Sequence, residues 1–544
     1  MSDFKRALAE IGEFGLFQKC LLFSLCISIM FTPFDIIGQV FTGLNFPHHC
    51  NTDWILERAP NLTDERQRNL TIPVNEDGEF ENCKMFTPVD WDLETIEKYG
   101  INTTTGCVDG WEYEAAPGVS TIVTEFNAVC EKHGLIEASQ SIFMAGALVG
   151  ALVFGALSDR FGRRFAILLS VLLMLLLGVS TAFSPDIYVY MVLKFFSGVS
   201  SVVLTMLASV LALEWTDPSK SAFCTMSIIA FFAVGQILLA GIAYLIQNWR
   251  ILQLVLFCPL VIVLVAFYRL LPESARWLIT QGRKEEALKE LQRAARVNKK
   301  KVPEDVLNNI EMETTSERRN VLDIFRISYL RKRSLIMGFD WFASSLLFYG
   351  LSLNVGNFGL NIYLTQLIFA VVEIPANLCG LTLIQRFGRR ICQACFLLFG
   401  GAACLVVLAV PKVFHVIFYF CPIRSFRGGN SLVLGKFSAT ASFSTAYVYT
   451  AELYPTVLRQ NGVGLNSMCA RVAGIVAPLI RLLESYHHII PMLVYGITPF
   501  AAGCFSFLLP ETLNRAARVN KKKVPEDVLN NVNSINTENF GLSI

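Results

Sequence analysis

Arg471 is the single charged residue in the apolar and small-residue stretch 465–480. A guanidinium at the centre of a membrane-spanning helix costs about 3 kcal/mol on insertion scales, so such a residue is a functional candidate by default. Its charge is permanent, and its rigid fork of donors fits a carboxylate in bidentate fashion. We therefore expect Arg471 to bind either an anionic substrate or a buried acid, for which Asp35 and Glu373 are the candidates.

The composition indicates a membrane protein. Of the 544 residues, 53% are hydrophobic and 17% are charged, whereas soluble domains carry about 25% charge. The apolar residues form runs close to the ~20 residues that cross a bilayer, which excludes a soluble enzyme with buried helices. We predict twelve spans, numbered 1 to 12 in chain order: 15–41, 139–157, 164–183, 188–213, 221–246, 251–271, 334–355, 360–384, 391–410, 431–454, 462–483 and 489–509.

Residues 45–137, between spans 1 and 2, form an acid-rich loop with the marks of an extracellular segment. All three N-glycosylation sequons of the chain lie here, and an even number of cysteines suits disulfides in an oxidising compartment. The predicted glycosylation sites are Asn61, Asn69 and Asn102, and the cysteines are Cys50, Cys83, Cys107 and Cys130.

The loop 272–333 is basic instead, which favours the cytoplasmic side. With twelve spans, both termini are then cytoplasmic as well. The predicted organisation is a first half at 1–271, a helical cytoplasmic loop at 272–333, a second half at 334–509 and a cytoplasmic tail at 510–544.

Short motifs recur six spans apart. "DRFGRR" follows span 2 and "QRFGRR" follows span 8, while "LPES" ends span 6 and "LPET" ends span 12. Glu214 and Glu452 stand in a third related pair, after spans 4 and 10. Such repeats predict two parallel six-helix halves with a substrate site between them, near the middle of the membrane.

With these motifs the chain resembles the major facilitator superfamily. The resemblance implies an all-α membrane protein with twelve transmembrane helices in two halves. It also implies a cytoplasmic latch in which Asp159 pairs with basic residues and a helix N-terminus. Gln385 replaces this acid in the second copy, so the second half of the latch should be weaker. The predicted latch residues are Asp159, Arg160, Gly162, Arg163, Arg164, Arg386, Gly388, Arg389, Arg390, Glu214 and Glu452.

Over nearly its whole length the chain is similar to solute carrier family 22, the organic ion transporters. The matching motifs are "PHHC" (47–50), "EFNAVC" (125–130), "LPESARWL" (271–278), "YGLSLNVGNFGLNIYLTQLIF" (349–369) and "AELYPTVLRQNG" (451–462). Within the family it looks most like the organic anion branch, nearest the urate and nicotinate exchangers of the organic anion transporter 10 type.

The resemblance implies a secondary active transporter of the plasma membrane that exchanges small organic anions, such as urate- or nicotinate-like carboxylates, for a counter-anion. Its substrate site would include Arg471, Tyr349, Phe348, Phe443, Asn377 and Phe232. Asn377 stands where anion carriers commonly have a second basic residue, and Phe232 replaces a tyrosine. Both departures favour monoanions over dianions. Asp35 and Glu373 would serve as coupling or ion-pair groups, and either could pair with Arg471.

Two other functions remain open at this point. An organic cation or zwitterion carrier of the same family would use Asp35 or Glu373 as its binding charge, and a receptor without transport is a more remote alternative. The chain has no HExxH, P-loop, GxSxG or dinucleotide motif, and its six histidines lack metal-site spacing. We expect no enzyme activity, cofactor, metal or nucleic-acid partner; the partners are substrate, counter-anion and lipid.

Residues 293–309 recur unchanged at 515–531. This identity favours a recent duplication or a mis-assembled gene model, the alternative being a basic tail that binds anionic lipid. The stretch 411–430 also fits the family poorly.

Overall fold

A computed structural model describes residues 8, 10–12, 14–75, 78–217, 220–300, 322–355, 361–409, 423–454, 458–487 and 489–512. Ten helices in this part of the chain are long and apolar enough to cross a membrane. The helices at the twelve predicted positions are Leu16–Ile29 with Thr32–Ile36 and Gln39–Thr42 (span 1), Gly134–Phe161, Arg163–Thr181, Ile187–Glu214, Ser221–Leu245, Trp249–Phe257 with Leu260–Leu270 (span 6), Ser328–Leu353, Ile362–Phe387, Arg389–Ala409, Ile423–Leu453, Arg459–Arg481 and Ile490–Ser506 (span 12).

Span 1 differs from the single run that the sequence predicted, because it consists of three helical segments. Pro33 lies in the first turn of the second segment, where the missing N–H of proline is tolerated. At the first break the backbone packs against Gly235 of span 5, and a methyl group on Gly235 would overlap the carbonyl of Met30. The break therefore depends on a glycine in a neighbouring helix.

The two halves repeat the same packing. Spans 1 and 5, 2 and 4, 3 and 4, and 3 and 6 pack together in the first half, and the equivalents six spans later pack in the second. Spans 2 and 11, and spans 5 and 8, pack across the boundary. Spans 2 and 4 approach closely at small residues, since a methyl group on Gly146 or Gly150 would overlap backbone carbonyls of span 4.

The loop 45–137, which we call the loop domain, has a small core around Ile55, Ile96 and Ile101. Strands β1 (His48–Cys50) and β4 (Trp111–Tyr113) pair antiparallel, as do β2 (Lys84–Phe86) and β3 (Thr104–Gly106). Its helices are Asp64–Thr71, Leu93–Tyr99 and Ile122–Glu125, with 3-10 turns at Asp53–Ile55 and Cys130–Lys132. Cys50 bonds to Cys107 and Cys83 bonds to Cys130, and the three sequon asparagines are exposed.

Helices Ala275–Thr280, Lys284–Val297 and Leu322–Arg326 lie between the two halves in sequence. Asn298, at the end of the second of these, accepts a hydrogen bond from the backbone N–H of Phe17 and donates to the carbonyl of Ile11. The basic loop is thereby tied to the start of span 1. Residues 301–309 of the first repeated block and the whole second copy lie outside the described residues. Residues 411–422 of the poorly fitting stretch lie outside them as well.

An ion pair anchors the loop domain to the first half. Arg250, at the start of span 6, contacts Glu125 at 2.6 Å and donates to the carbonyls of Ala182 and Ser184. The indole N–H of Trp249 donates to the same carboxylate at 2.6 Å. Burial alone would raise the pKa of Glu125, but the hydrogen bonds from Arg250 and Trp249 outweigh it and hold the pKa below its ordinary value of 4.5.

We expect Glu125→Gln to lower the stability of the protein by roughly 1 kcal/mol at neutral pH, since the carboxylate is a third exposed. Because the folded-state pKa is lowered, the stabilisation is present above the unfolded pKa and is lost as pH falls through the folded one. The difference in melting temperature from wild type should therefore shrink in acid. Glu94→Gln, which alters an exposed carboxylate of the same domain, is the control; an unchanged difference at all pH values would contradict this assignment.

Candidate functional site

Five aromatic rings of spans 7 and 10 form a continuous group, which we call the aromatic array: Trp341, Phe348, Tyr349, Phe443 and Tyr447. Trp341 lies 4.3 Å from Tyr447 and 5.5 Å from Phe443, between ring centroids. Phe348 lies 5.4 Å from Tyr349 and 6.3 Å from Phe443. Tyr447 is 41% exposed, so the array keeps accessible surface.

Arg471 of span 11 lies beside this array. It is half-buried and close enough to the phenols of Tyr349 and Tyr447 to interact with them electrostatically. Gly474, nearly one turn further on, leaves room for the ring of Tyr349. Within the described part of the chain, Arg471 has no hydrogen bond and no carboxylate within ion-pair distance.

Glu373 of span 8 forms an ion pair with Lys436 of span 10 at 2.8 Å, and both side chains are almost fully buried. Gln236 of span 5 donates to the other carboxylate oxygen at 2.8 Å. The Lys436 ammonium also donates to Ser352 at 2.5 Å and lies 3.3 Å from the ring centroid of Phe348. This pair therefore sits at the edge of the aromatic array, held by polar and cation–π contacts.

Asp35 of span 1 has an equivalent partner in the first half. Its carboxylate contacts the Lys194 ammonium at 2.8 Å and accepts a hydrogen bond from Ser197, all three being buried. Arg471 therefore does not pair with Asp35 or Glu373 in this structure, because each acid pairs with a lysine instead.

The two remaining predicted site residues are Asn377 and Phe232. Asn377 is buried; its amide N–H donates to the carbonyl of Glu373 and its oxygen accepts from Ser444, so its polar atoms are already engaged. Phe232 packs against the core of the first half, and none of the ring contacts we observe joins it to the aromatic array.

The latch motif of the first half forms a cluster of charges. Arg163 contacts Asp159 and Glu214, each at 3.2 Å. Glu273, from "LPES", accepts hydrogen bonds from the backbone N–H groups of Arg163 and Arg164 at the start of span 3. Burial raises the pKa of Glu273, against the opposing effect of these hydrogen bonds.

The second half repeats this arrangement. Arg389 contacts Glu452 at 2.7 Å, and Glu511 of "LPET" accepts from the backbone N–H groups of Arg389 and Arg390. Gly388 has a positive φ of 95°, as Gly162 has 102°, and a methyl group on either would overlap the capping glutamate. The remaining latch arginines, Arg160 and Arg386, stack over the neighbouring phenylalanine rings.

The two halves contact each other near the loop domain, at what we call the loop end of the bundle. Ser141 of span 2 donates to the carbonyl of Ile475 of span 11 at 2.9 Å, and Phe41 stacks on Tyr363 of span 8. At the opposite end, the ion pairs of Arg163 and Arg389 stay within their own halves.

The sequence reasoning missed six residues of these groups. Lys194 and Lys436 could have been found as single basic residues inside predicted spans, and the glutamates of "LPES" and "LPET" could have been found from the repeat. Trp341 and Tyr447 carried no signal that separates them from ordinary packing. The missed residues are Lys194, Lys436, Trp341, Tyr447, Glu273 and Glu511.

Comparison with known sequences decides the family. The model of the family described as sugar (and other) transporter matches residues 101–518. Human solute carrier family 22 member 13 is 41% identical over 94% of this chain and 91% of its own length. The chain belongs to solute carrier family 22. Organic anion transporter 3 of Rattus norvegicus is 35% identical over 94% of this chain and 92% of its own.

Solved structures show the same fold. The proton:xylose symporter XylE, of the major facilitator superfamily, superposes with a TM-score of 0.54 at 14% identity, over 91% of this chain and 97% of its own. A partially occluded inward open conformation of XylE from E. coli gives 0.56 at 14% identity, over 93% and 100%. The predicted all-α fold and the predicted family are therefore confirmed. This member of solute carrier family 22 is a multi-pass membrane transporter and not an enzyme.

Proposed function

We propose that this protein carries small organic anions across the plasma membrane by alternating access, in exchange for a counter-anion. The observation that carries the proposal is Arg471: a permanent cation, half-buried, beside two phenols, and without a carboxylate partner among the described residues. A substrate carboxylate would supply the missing counter-charge.

The charge balance around the site supports an anion over a cation. Lys194 neutralises Asp35 and Lys436 neutralises Glu373, so Arg471 adds the uncompensated charge. In a medium of low dielectric constant this charge attracts anions strongly and repels cations. The organic cation alternative would need one of the two acids to release its lysine first.

The array favours flat substrates. Rings offset or edge-on to one another bind aromatic and heterocyclic carboxylates by stacking and apolar burial, while Arg471 orients the carboxylate. Phe348, Tyr349 and Phe443 would supply the walls. With Asn377 bonded within the protein, Arg471 provides one binding charge, which suits urate- or nicotinate-like monoanions. Relatives of this chain include proteins named organic anion transporters.

We assign the structure to an inward-facing conformation. The halves join at the loop end, through contacts such as the hydrogen bond from Ser141 to Ile475, while Asp159 pairs within its own half. In the outward-facing state the halves would rock together at the opposite end, where Asp159 would join the latch across the boundary. Asp159→Asn should therefore favour inward-facing states.

We expect the loop domain to be extracellular and both termini to be cytoplasmic. Glycosidase treatment of protein from mammalian cells should then increase its electrophoretic mobility, because Asn61, Asn69 and Asn102 are exposed in sequons. Replacing all three with Gln should abolish the change. A mobility change that survives the triple replacement would mean that the sugars lie elsewhere in the chain, and it would contradict the extracellular assignment of the loop domain.

Uptake by cells that express the protein tests the proposal. Labelled nicotinate, urate, para-aminohippurate and tetraethylammonium are compared with mock-transfected cells, with surface protein measured in parallel. Uptake of at least one anion without tetraethylammonium is expected, and preloading with unlabelled anion should accelerate it. Uptake of tetraethylammonium alone would replace the anion proposal by the cation alternative.

A further inference from the structure

The helix Lys284–Val297, which we call the linker helix, ends beside the start of span 1. Asn298, the first residue after this helix, accepts a hydrogen bond from the backbone N–H of Phe17 at 2.8 Å. Its amide group donates to the carbonyl of Ile11 at 3.1 Å and to the side-chain oxygen of Gln18 at 2.9 Å. The end of the linker helix is therefore fixed at the first turn of span 1.

This first turn lies at the membrane surface. Leu16 and Phe23 of span 1 are 58% and 59% exposed, and Lys19 is exposed between them. Apolar side chains on the outside of a membrane bundle contact hydrocarbon, whereas a lysine near a helix end reaches the headgroups. Lys19 follows Phe17 by two residues, about 3 Å along the helix axis. The hydrogen bonds of Asn298 therefore place the end of the linker helix at the level of the lipid headgroups.

Three exposed cations lie at this position, Arg296, Lys299 and Lys300, which we call the basic end. In the part of the chain that the structure describes, none of their side chains forms a hydrogen bond or an ion pair, and the basic end contains no acid. Arg283 and Arg293 of the same helix, by contrast, each pair with a glutamate, at 2.6 and 3.5 Å. The basic end thus keeps three positive charges available for a partner.

The backbone of Lys299 has a positive φ of 54°, which is uncommon for residues other than glycine. The N–H of Lys300 bonds to the carbonyl of Ala295 at 2.9 Å, and that of Lys299 bonds to the carbonyl of Arg296 at 3.2 Å. These two bonds form a Schellman motif, in which glycine usually occupies the position of Lys299. A lysine at a position that suits glycine favours a role for its charge.

We propose that the basic end binds the headgroup of a phosphoinositide lipid. Arginine binds phosphate in bidentate fashion and lysine binds it as a point charge. Three cations within five residues suit a headgroup with several phosphate charges better than a singly charged one. In the orientation proposed above, the basic end faces the cytoplasmic leaflet, whose anionic lipids attract basic segments next to a span. The acyl chains would lie along the exposed Leu16 and Phe23.

The test measures the melting temperature of the full-length protein, purified in an uncharged detergent. The probes are dioctanoyl-phosphatidylinositol bisphosphate, dioctanoyl-phosphatidylserine and inositol trisphosphate. The first should raise the melting temperature in a saturable way, because a ligand that binds the folded state stabilises it. The other two should need concentrations at least about 10-fold higher, because phosphatidylserine carries fewer charges and inositol trisphosphate has no acyl chains.

Replacing all three residues of the basic end with Gln should weaken the response to the bisphosphate lipid about 100-fold in concentration. The matched control, Arg276→Gln with Arg331→Gln and Lys332→Gln, removes three exposed cations of the same basic loop and should leave the response unchanged. Lys299→Gly suits the positive φ, so it should be at least as stable as wild type without lipid while weakening the response about 5-fold.

Four outcomes would overturn the proposal. Equal stabilisation by phosphatidylserine, or an equal loss in the control variant, would mean that diffuse charge acts instead of a site. Equal stabilisation by inositol trisphosphate would indicate a site for soluble phosphates. No stabilisation by the bisphosphate lipid would remove the site altogether. The comparison of probes on wild-type protein needs no variant, and Lys299→Gly keeps the charge test valid if the triple variant fails to fold.

Discussion

Arg471→Ala should abolish most organic anion uptake while the protein still reaches the cell surface. The substitution removes a charge-assisted contact with the substrate carboxylate, worth about 1.5–3 kcal/mol, which corresponds to roughly a 10- to 150-fold weaker apparent affinity. Arg471→Lys should recover the uptake only in part, because an ammonium keeps the charge without the bidentate fork. Initial rates over a range of substrate concentrations, normalised to surface protein, measure both effects.

The control for Arg471 is Arg276→Ala, which removes an exposed arginine outside the spans and should leave uptake unchanged. Asp35→Asn separates the alternatives: the cation hypothesis predicts that it cripples tetraethylammonium uptake while Arg471→Ala has little effect. A purely structural role of Arg471 predicts poor surface expression instead. Unchanged affinity for aromatic carboxylates in Arg471→Ala, at normal surface level, would remove the assignment of this residue to the site.

Lys436→Met should strongly destabilise the protein. It leaves Glu373 buried without a counter-charge, and breaking a buried pair in this way costs about 3–5 kcal/mol. Adding Glu373→Gln should restore most of the loss, since a neutral pair no longer carries a buried charge. Melting temperatures of the purified single and double variants measure the coupling between the two positions.

The pair in the first half supplies a matched control. Lys194→Met should destabilise the protein in the same way, because it leaves Asp35 buried without a counter-charge. Glu373→Gln should not restore the stability of this variant. Rescue across pairs would mean that the effect is one of general packing. If Lys436→Met alone left the melting temperature unchanged, Glu373 would have to be neutral in the folded protein, and the charge balance that supports anion binding would need revision.

Much of the architecture was predictable because it depends on local sequence. Hydropathy over about 20 residues predicts a span without reference to any distant residue. Motifs repeated six spans apart predict two halves in the same way, and three sequons with four cysteines mark one loop. Arg471 was also found locally, since one arginine in an apolar run stands out whatever surrounds it.

The partners of the buried charges were decided by tertiary structure. The sequence offered Asp35 and Glu373 as partners for Arg471, but Lys194, 159 residues after Asp35, and Lys436 of a different span take those positions. The first break in span 1, which depends on Gly235 of span 5, and the joining of Trp341 and Tyr447 into one array have the same origin. Hydropathy and helical periodicity determine that a residue lies inside the membrane and on which helix. Which two helices bring their side chains together is set by the packing of the whole bundle, because each contact joins residues far apart in the chain.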